Sequence, residues 1–464
     1  MSHADDVFRT SQMVPKGRLV SGHTKEFQTD PIGFLTRLSK EYGEVAKFRL
    51  GPLQTVYHVL NPDLIKQILV TKQQSFVKSS DFNLLKPLIG EGLLTSEKDF
   101  HMRQRRLIQP SFKKTHISQY AKDMIDVTMD YISTWQHDDE RSITKDMMNI
   151  TLGIISKTMF SMEFKDGYEI VGKPLETALR ITVKRMRKIF RMPLWLPTKI
   201  NREYKKAIQR LDKVIYGIIE KRKNDTVKHE DMLGVLMDAR DADDGLGMSS
   251  HQVRDELMTI FLAGHETTAN ALSWALYAIS KHPEIQVKLF NEVNSIIGQR
   301  TPKPEDFMKL QYTQNIIHET LRFYPPLYII SRDVTEDVTI GGYRFKKGDM
   351  ILISSYVMQH NPEYFDQPES FIPERFENNF MKSLPAFAYF PFGGGPRVCI
   401  GNHFAMMEAV FVLACIAKRY RIKLAPDHHD VTPLPSLTLR PKNGLRMVLE
   451  ERAAEAFEPG ASNF

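Results

Sequence analysis

The stretch from Ser249 to Pro283 limits what this chain can become more than any other. Ser249 followed three residues on by Gln252 is a capping-box signature, and Pro283 after Lys281-His282 stops a helix. A helix of about 30 residues spans ~45 Å at 1.5 Å per residue. Apolar residues lie nearly all round it, so it must be buried along much of its length. A membrane would also bury it, but His265 and Glu266 sit in its middle. An acid at the centre of a spanning helix costs about 2.5–3.5 kcal/mol on insertion scales. The expectation is therefore a soluble, cytoplasmic protein without a transmembrane anchor, large enough to wrap the helix.

The chain has 464 residues, enough to bury a large core without staples. Two cysteines, Cys399 and Cys415, exclude a disulfide scaffold and favour a reducing compartment. The 63 Lys and Arg against 56 Asp and Glu are too small an excess to indicate nucleic acid. The start has acids and Pro15 where a signal peptide needs an apolar run. Glu44–Phe48 and Thr55–Leu60 read as a strand pair across Gly51-Pro52, and Leu64 to Ser295 reads as mostly helical. Helices are also expected from Gln311 to Phe323, ended by Pro325-Pro326, and after Gly401. Short strands return between Val338 and Glu374. The fold class is thus mainly α with small β-sheets (α+β), as a single domain over 1–464 with flexible tails at 1–20 and 452–464.

Three segments carry chemistry. In Phe392-Gly393-Gly394-Gly395-Pro396-Arg397-Val398-Cys399-Ile400-Gly401, glycines let the backbone approach a flat ligand. Cys399 lies just before a helix, whose dipole favours a thiolate, and that placement suits an axial haem ligand. A glycine turn beside a buried cysteine is the plainer reading, and it is the one that suits Cys415. A dinucleotide loop is a weaker rival, because three adjacent glycines are not G-x-G-x-x-G. Ala263-Gly264-His265-Glu266-Thr267-Thr268 puts an acid and an alcohol mid-way along an apolar helix, where Thr can bond the i−4 carbonyl. Such a pair can relay protons, or it can be a satisfied polar kink. Glu319 and Arg322 share a helix face and are flanked by apolar residues, with Arg375 of Pro373-Glu374-Arg375-Phe376 available to join them.

In this order and at these separations, the motifs F-G-G-G-P-R-V-C-I-G, A-G-H-E-T-T, E-x-x-R and P-E-R-F resemble the cytochrome P450 superfamily of haem-thiolate monooxygenases. The resemblance implies a P450 fold, with the long helix over a haem and a Cys-ligand loop. It implies Cys399 as the iron ligand, with Phe392, Gly393 and Gly401 around it, and Ala263 and Gly264 against the haem. Glu266 and Thr267 would be the catalytic acid–alcohol pair, and Glu319, Arg322 and Arg375 a structural triad. The cofactor would be haem b (iron protoporphyrin IX), its propionates met by His101, Arg105, Arg332 and Arg397. His101 stands where the family usually has Trp. The substrate pocket would draw on Leu84, Leu85, Leu88, Leu94, Phe261, Leu327, Ile330 and Leu437, an apolar set that fits a fatty acid, terpenoid or steroid. Tyr57 matches one half of a carboxylate anchor known in bacterial fatty-acid hydroxylases, but Leu53 stands where its Arg belongs.

The same resemblance places a substrate lid at the basic run of Lys184, Arg185, Arg187, Lys188 and Arg191. That run reads as a solvated face, or as a mouth for anionic amphiphiles or a membrane surface. O2 would be the co-substrate, with NAD(P)H used only indirectly. Electrons would come from a separate ferredoxin or flavodoxin and its reductase, docking near Arg103, Arg106, Lys113 and Lys114, and the protein would act as a monomer. A peroxide-driven peroxygenase and a haem-binding sensor are the alternatives.

Overall fold

The computed structural model describes residues 12–13, 17–163, 167–188, 191–227, 229, 231–240, 245–429 and 431–452. The expected tails at 1–20 and 452–464 lie outside these residues apart from 12–13, 17–20 and 452. The long helix runs over Ser250–Lys281. Ser249 Oγ accepts from the Gln252 N–H at 3.2 Å, and Gln252 Oε1 accepts from the Ser249 N–H at 2.9 Å, so the capping box is formed. Pro283 opens the next helix, Pro283–Ile297, so the stop signal is also a start.

Helices Ile143–Phe160, Lys199–Lys223, Gln311–Phe323 and Asn402–Arg419 pack around the central one. They shield it so well that Trp274, deep in its second half, is fully buried. The Trp274 ring stacks on Tyr324 at 4.2 Å, and its Nε1–H donates to Leu439 O at 3.1 Å. That bond ties the helix to the hairpin Pro433–Pro435/Leu439–Pro441. The main sheet has six strands in the order Gln12–Met13, Val45–Leu50, Gln54–Val59, Met350–Ile353, Ile330–Val334 and Phe76–Lys78. Its last pair is antiparallel and sets Lys78 directly opposite Arg332. Among the described residues no helix is long and apolar enough to cross a membrane.

Glu319 and Arg322 are fully buried and joined by two bonds of 2.7 and 2.8 Å. Arg322 also donates to the carbonyls of Gln359, Pro368 and Ser370, and Glu319 accepts the Ile372 N–H. Arg375 approaches Glu319 at 3.6 Å. One ion pair thus satisfies the backbone of an irregular segment that has no ladder of its own. Removing one partner of such a pair costs about 3–5 kcal/mol, because the other charge stays buried.

His58, in the sheet, and His265, on the central helix, are 1% and 5% exposed, and neither ring has a hydrogen-bond partner among the described residues. Burial lowers them from 6.5 to about 3 and about 4. Both are neutral in the fold, whereas the unfolded chain protonates each below about pH 6.5. Unfolding therefore takes up protons, and stability should fall by about 1.4 kcal/mol per pH unit for each histidine between pH 6.5 and about 4. Urea unfolding across this window measures the slope, and His58→Leu should remove one proton's share of it.

Candidate active site

Between its exposed ends at His251 and Lys281, the central helix is largely sealed except in the middle. Ile260, Leu262, His265, Glu266 and Thr268 are buried, yet Ala263 is exposed and Gly264 and Thr267 are half-buried. Cys399 has the same double character. Its side chain is exposed, while burial still pushes its thiol up, against the opposing effects of the Gly401 N–H and Arg105. The sulfur is thus reachable from outside yet crowded by protein on its other sides. The helix that starts after Cys399, Asn402–Arg419, packs on the central helix.

The cysteine loop is shaped by its glycines. Gly393 and Gly395 have φ of +72° and +66°, and a Cβ on Gly395 would stand 1.9 Å from Leu69 O. Only glycine fits there. The Cys399 N–H donates to Phe392 O at 2.9 Å, which folds the loop so that Phe392 lies beside the cysteine. Cys415 is buried in the helical core, and burial raises it to about 12.

Five basic side chains gather at the cysteine loop and the adjoining sheet edge. Arg397 contacts His101 Nδ1 at 2.7 Å and pairs with Glu97. Arg105 donates to Val398 O at 2.8 Å. Lys78 Nζ donates to Leu94 O, and Arg332 reaches only its neighbour Ser331 O. Burial first, then Arg397, pushes Arg332 down to about 10. Lys78 is lowered further, by burial and then by Arg397 and Arg332. Among the described residues Glu97 is the one carboxylate paired with any of them. Four buried or half-buried cations with one acid make a site for an anion. His101 reaches that site differently from expectation. Its Nδ1 lies 2.7 Å from Arg397 and 3.1 Å from Leu93 O, and its Nε2 lies 3.4 Å from Pro396 O. The ring is held neutral, lowered to about 4 chiefly by burial and then by Arg397, and it braces Arg397. Lys78 lies far from every motif, and Glu97, four residues before His101, carries no local sign that it pairs with Arg397.

The family model for cytochrome P450 matches residues 14–447. The chain belongs to the cytochrome P450 family. It is 33% identical over 446 residues to cyclooctatin synthase of Streptomyces melanosporofaciens, covering 95% of each chain. It is 32% identical to cyclooctat-9-en-7-ol 5-monooxygenase of the same organism, over 90% of each chain. Pentalenene oxygenase of Streptomyces avermitilis is 30% identical, over 93% of this chain and 96% of its own. The protein is a P450 monooxygenase, and the family uses haem and O2. The residues present fit haem: a lone reachable thiol, a glycine-cradled loop, and surplus cations for two propionates.

The other expected P450 residues divide into two groups. Thr267 Oγ1 donates to Ala263 O at 2.7 Å, the expected i−4 bond. Glu266 is buried, with its carboxyl raised by burial, and Oε1 accepts from Thr438 Oγ1 at 2.6 Å while Oε2 has no partner. Leu84, Leu94 and Leu437 are half-buried, Leu327 is 40% exposed, and Ile330 lies beside Gly393. Leu85, Leu88 and Phe261, by contrast, are sealed in the core, with Phe261 stacked on Phe160 at 4.6 Å. Phe261 is two residues from Ala263, which turns it to the opposite side of the helix.

The basic run is not a free solvated face either. Arg191 pairs with Asp81 at 2.6 Å, Arg187 donates to Pro435 O, and Arg185 donates to Met192 O. The run is tied to Asp81 and to the hairpin at Pro435.

The cation cluster yields a differential test. Lys78→Met should stabilise the haem-free protein, by about 1–4 kcal/mol in urea unfolding, because it removes a buried like charge. The same change should speed haem loss from the loaded protein to a scavenger such as apomyoglobin.

Proposed function

We propose that this P450 inserts one atom of O2 into a terpenoid-class hydrophobic substrate. Haem b is held by Cys399, and electrons pass from NAD(P)H through a separate ferredoxin- or flavodoxin-type donor and its reductase. The observation that carries the reading is the breach in the central helix, where the Thr267 hydroxyl stands half-buried beside the buried Glu266. Bound haem supplies the binding and reduction of O2. Non-covalent haem fits, because Cys415 is buried in the core and cannot form a thioether with a ring at Cys399.

The chain's own residues divide the remaining work. Arg105, Arg332, Arg397 and Lys78 meet the propionates, and His101 positions Arg397. Ala263, small and exposed, leaves room for a flat ring, whereas Gly264 lets Ile155 pack closely against the helix. Thr267 Oγ1 keeps a proton inside an otherwise apolar hollow. The Glu266 carboxyl, raised by burial, holds a proton more readily than an exposed acid and has one oxygen free to pass it on. Proton transfer of this kind typically contributes about 10²–10⁴-fold. The acid–alcohol pair favours an oxygenase over a peroxide-driven enzyme or a sensor, neither of which needs protons delivered there.

Two features favour a terpenoid over a fatty acid. The relatives are named for cyclooctat-9-en-7-ol and pentalenene. Tyr57, the candidate carboxylate anchor, is 5% exposed and packs edge-on against Phe345 at 4.9 Å, while Leu53 points out to solvent at 89% exposure. No carboxylate clamp is built from that pair. For the electron donor, exposed Lys113 joins Arg103 and Arg106 on a basic face suited to an acidic partner. Arg103 also donates to Leu246 O, and the Lys114 side chain lies outside the described residues.

Spectral titration of the haem-loaded protein tests the substrate class. Cyclic terpene hydrocarbons and alcohols should shift the haem spin state, and palmitate should not; a shift with palmitate alone would overturn the reading. With a ligand in hand, Thr267→Val should still consume NADPH through surrogate partners yet release more hydrogen peroxide and less product. Unchanged coupling would make Thr267 a packing residue.

A further inference from the structure

Arg254, Asp255 and Glu256 are three consecutive charged residues on the central helix, 5%, 3% and 0% exposed. Burial of three adjacent charges is costly unless each is matched. Arg254 reaches one segment, and Asp255 and Glu256 reach another. Arg254 Nε and Nη2 donate to Asp212 Oδ1, at 2.8 and 2.5 Å, on helix Lys199–Lys223. Asp255 Oδ2 accepts the Glu91 N–H at 2.9 Å, and its other oxygen accepts from Arg254. Glu256 Oε2 accepts the Leu93 N–H at 2.9 Å.

Two carboxylates on successive helical residues thus catch alternate N–H groups of one loop, whose backbone has no sheet or helix partner there. The fit is close. A Cβ on Gly90 would fall 1.9–2.1 Å from the Asp255 carboxylate, and one on Gly92 would fall 2.4 Å from Thr259 Oγ1. Gly90 also has φ +62°, a second reason for glycine. The loop continues into Leu94, Thr95 and Glu97. Leu94 O accepts from Lys78, Thr95 Oγ1 donates back to Gly90 O at 2.6 Å, and Glu97 pairs with Arg397.

We propose that Asp255 and Glu256 are positioning residues: a latch that holds the segment 84–97 against the central helix and so sets the pocket wall at Leu84 and Leu94, while Arg254 fastens helix Lys199–Lys223 at the same point. The assignment of that wall rests on the function proposed above; the latch itself rests on the bonds just described. Glu256 has no exposed surface, so it acts on a bound ligand through the loop and not by touching it. Burial raises its carboxyl to about 8, against the Leu93 N–H, so a neutral amide is a close mimic.

The test compares wild type, Glu256→Gln and Glu256→Leu as haem-loaded proteins. Gln keeps an acceptor for the Leu93 N–H and Leu does not. In wild type, amide-resolved hydrogen exchange should show Glu91 and Leu93 protected and Gly92 fast. In Glu256→Leu, exchange at Leu93 should rise by about tenfold or more, and affinity for the probe 4-phenylimidazole, read by its azole-type spectral shift, should fall about tenfold. Glu256→Gln should restore both. The reduced carbon monoxide spectrum should stay that of a thiolate-ligated haem throughout, and its absence in wild type would refute the haem reading instead of the latch. A fast Leu93 amide in wild type overturns the latch even if Glu256→Leu fails to fold. So does a Gln variant as impaired as Leu.

Discussion

Burying most of a helix of 32 residues is the constraint on which the rest of this P450 depends. A charged group on its buried length is costly unless another part of the chain meets it, because water does not reach it. The meetings determine the architecture. Arg254 draws in helix Lys199–Lys223, Asp255 and Glu256 draw in the loop at 90–93, and Trp274 and Asn270 draw in the C-terminal hairpin. Packing alone would hold these segments near the helix, but hydrogen bonds to buried carboxylates fix their register.

The opposite requirement operates at the middle of the helix. Around Ala263 the surface of the helix is left open, and the loop before Cys399 turns on glycines in the left-handed region. The cost of leaving this region open appears in the charges beside it. Lys78 and Arg332 stand opposite each other on paired strands, an arrangement that disfavours the sheet when nothing negative lies between them. Arg397 adds to the repulsion and Glu97 offsets part of it. Such a site is assembled at the expense of the empty protein's stability, which is how an anionic cofactor becomes part of the fold.

Glu266 links the two requirements. It belongs to the sealed part of the helix, yet its neighbour Thr267 belongs to the open part. Thr438, beside Leu437 in the turn of the hairpin, holds one oxygen of Glu266 and also accepts from Asn270. The acid is therefore oriented by that turn.

What could be read from the sequence was local. The capping box at Ser249, the helix ending at Phe323, the glycine loop before Cys399, the i−4 bond of Thr267 and the Glu319–Arg322 pair all depend on residues within a few positions of each other. Short-range sterics and hydrogen bonding suffice for these. Tertiary structure alone decided which face of the apolar helix opens, because a helix that is apolar all round has no pattern to orient it. Hence Phe261, Leu85 and Leu88 went to the core and Tyr57 to the sheet interior. It also decided the long-range partners, Lys78 and Glu97 for the cation cluster, Thr438 for Glu266, and the peptide groups of Glu91 and Leu93 for Asp255 and Glu256. A backbone N–H has no residue identity, and a lysine hundreds of positions from Arg397 carries no local mark of its destination. Only the closing of sheet, loop and helix upon each other brings such groups together.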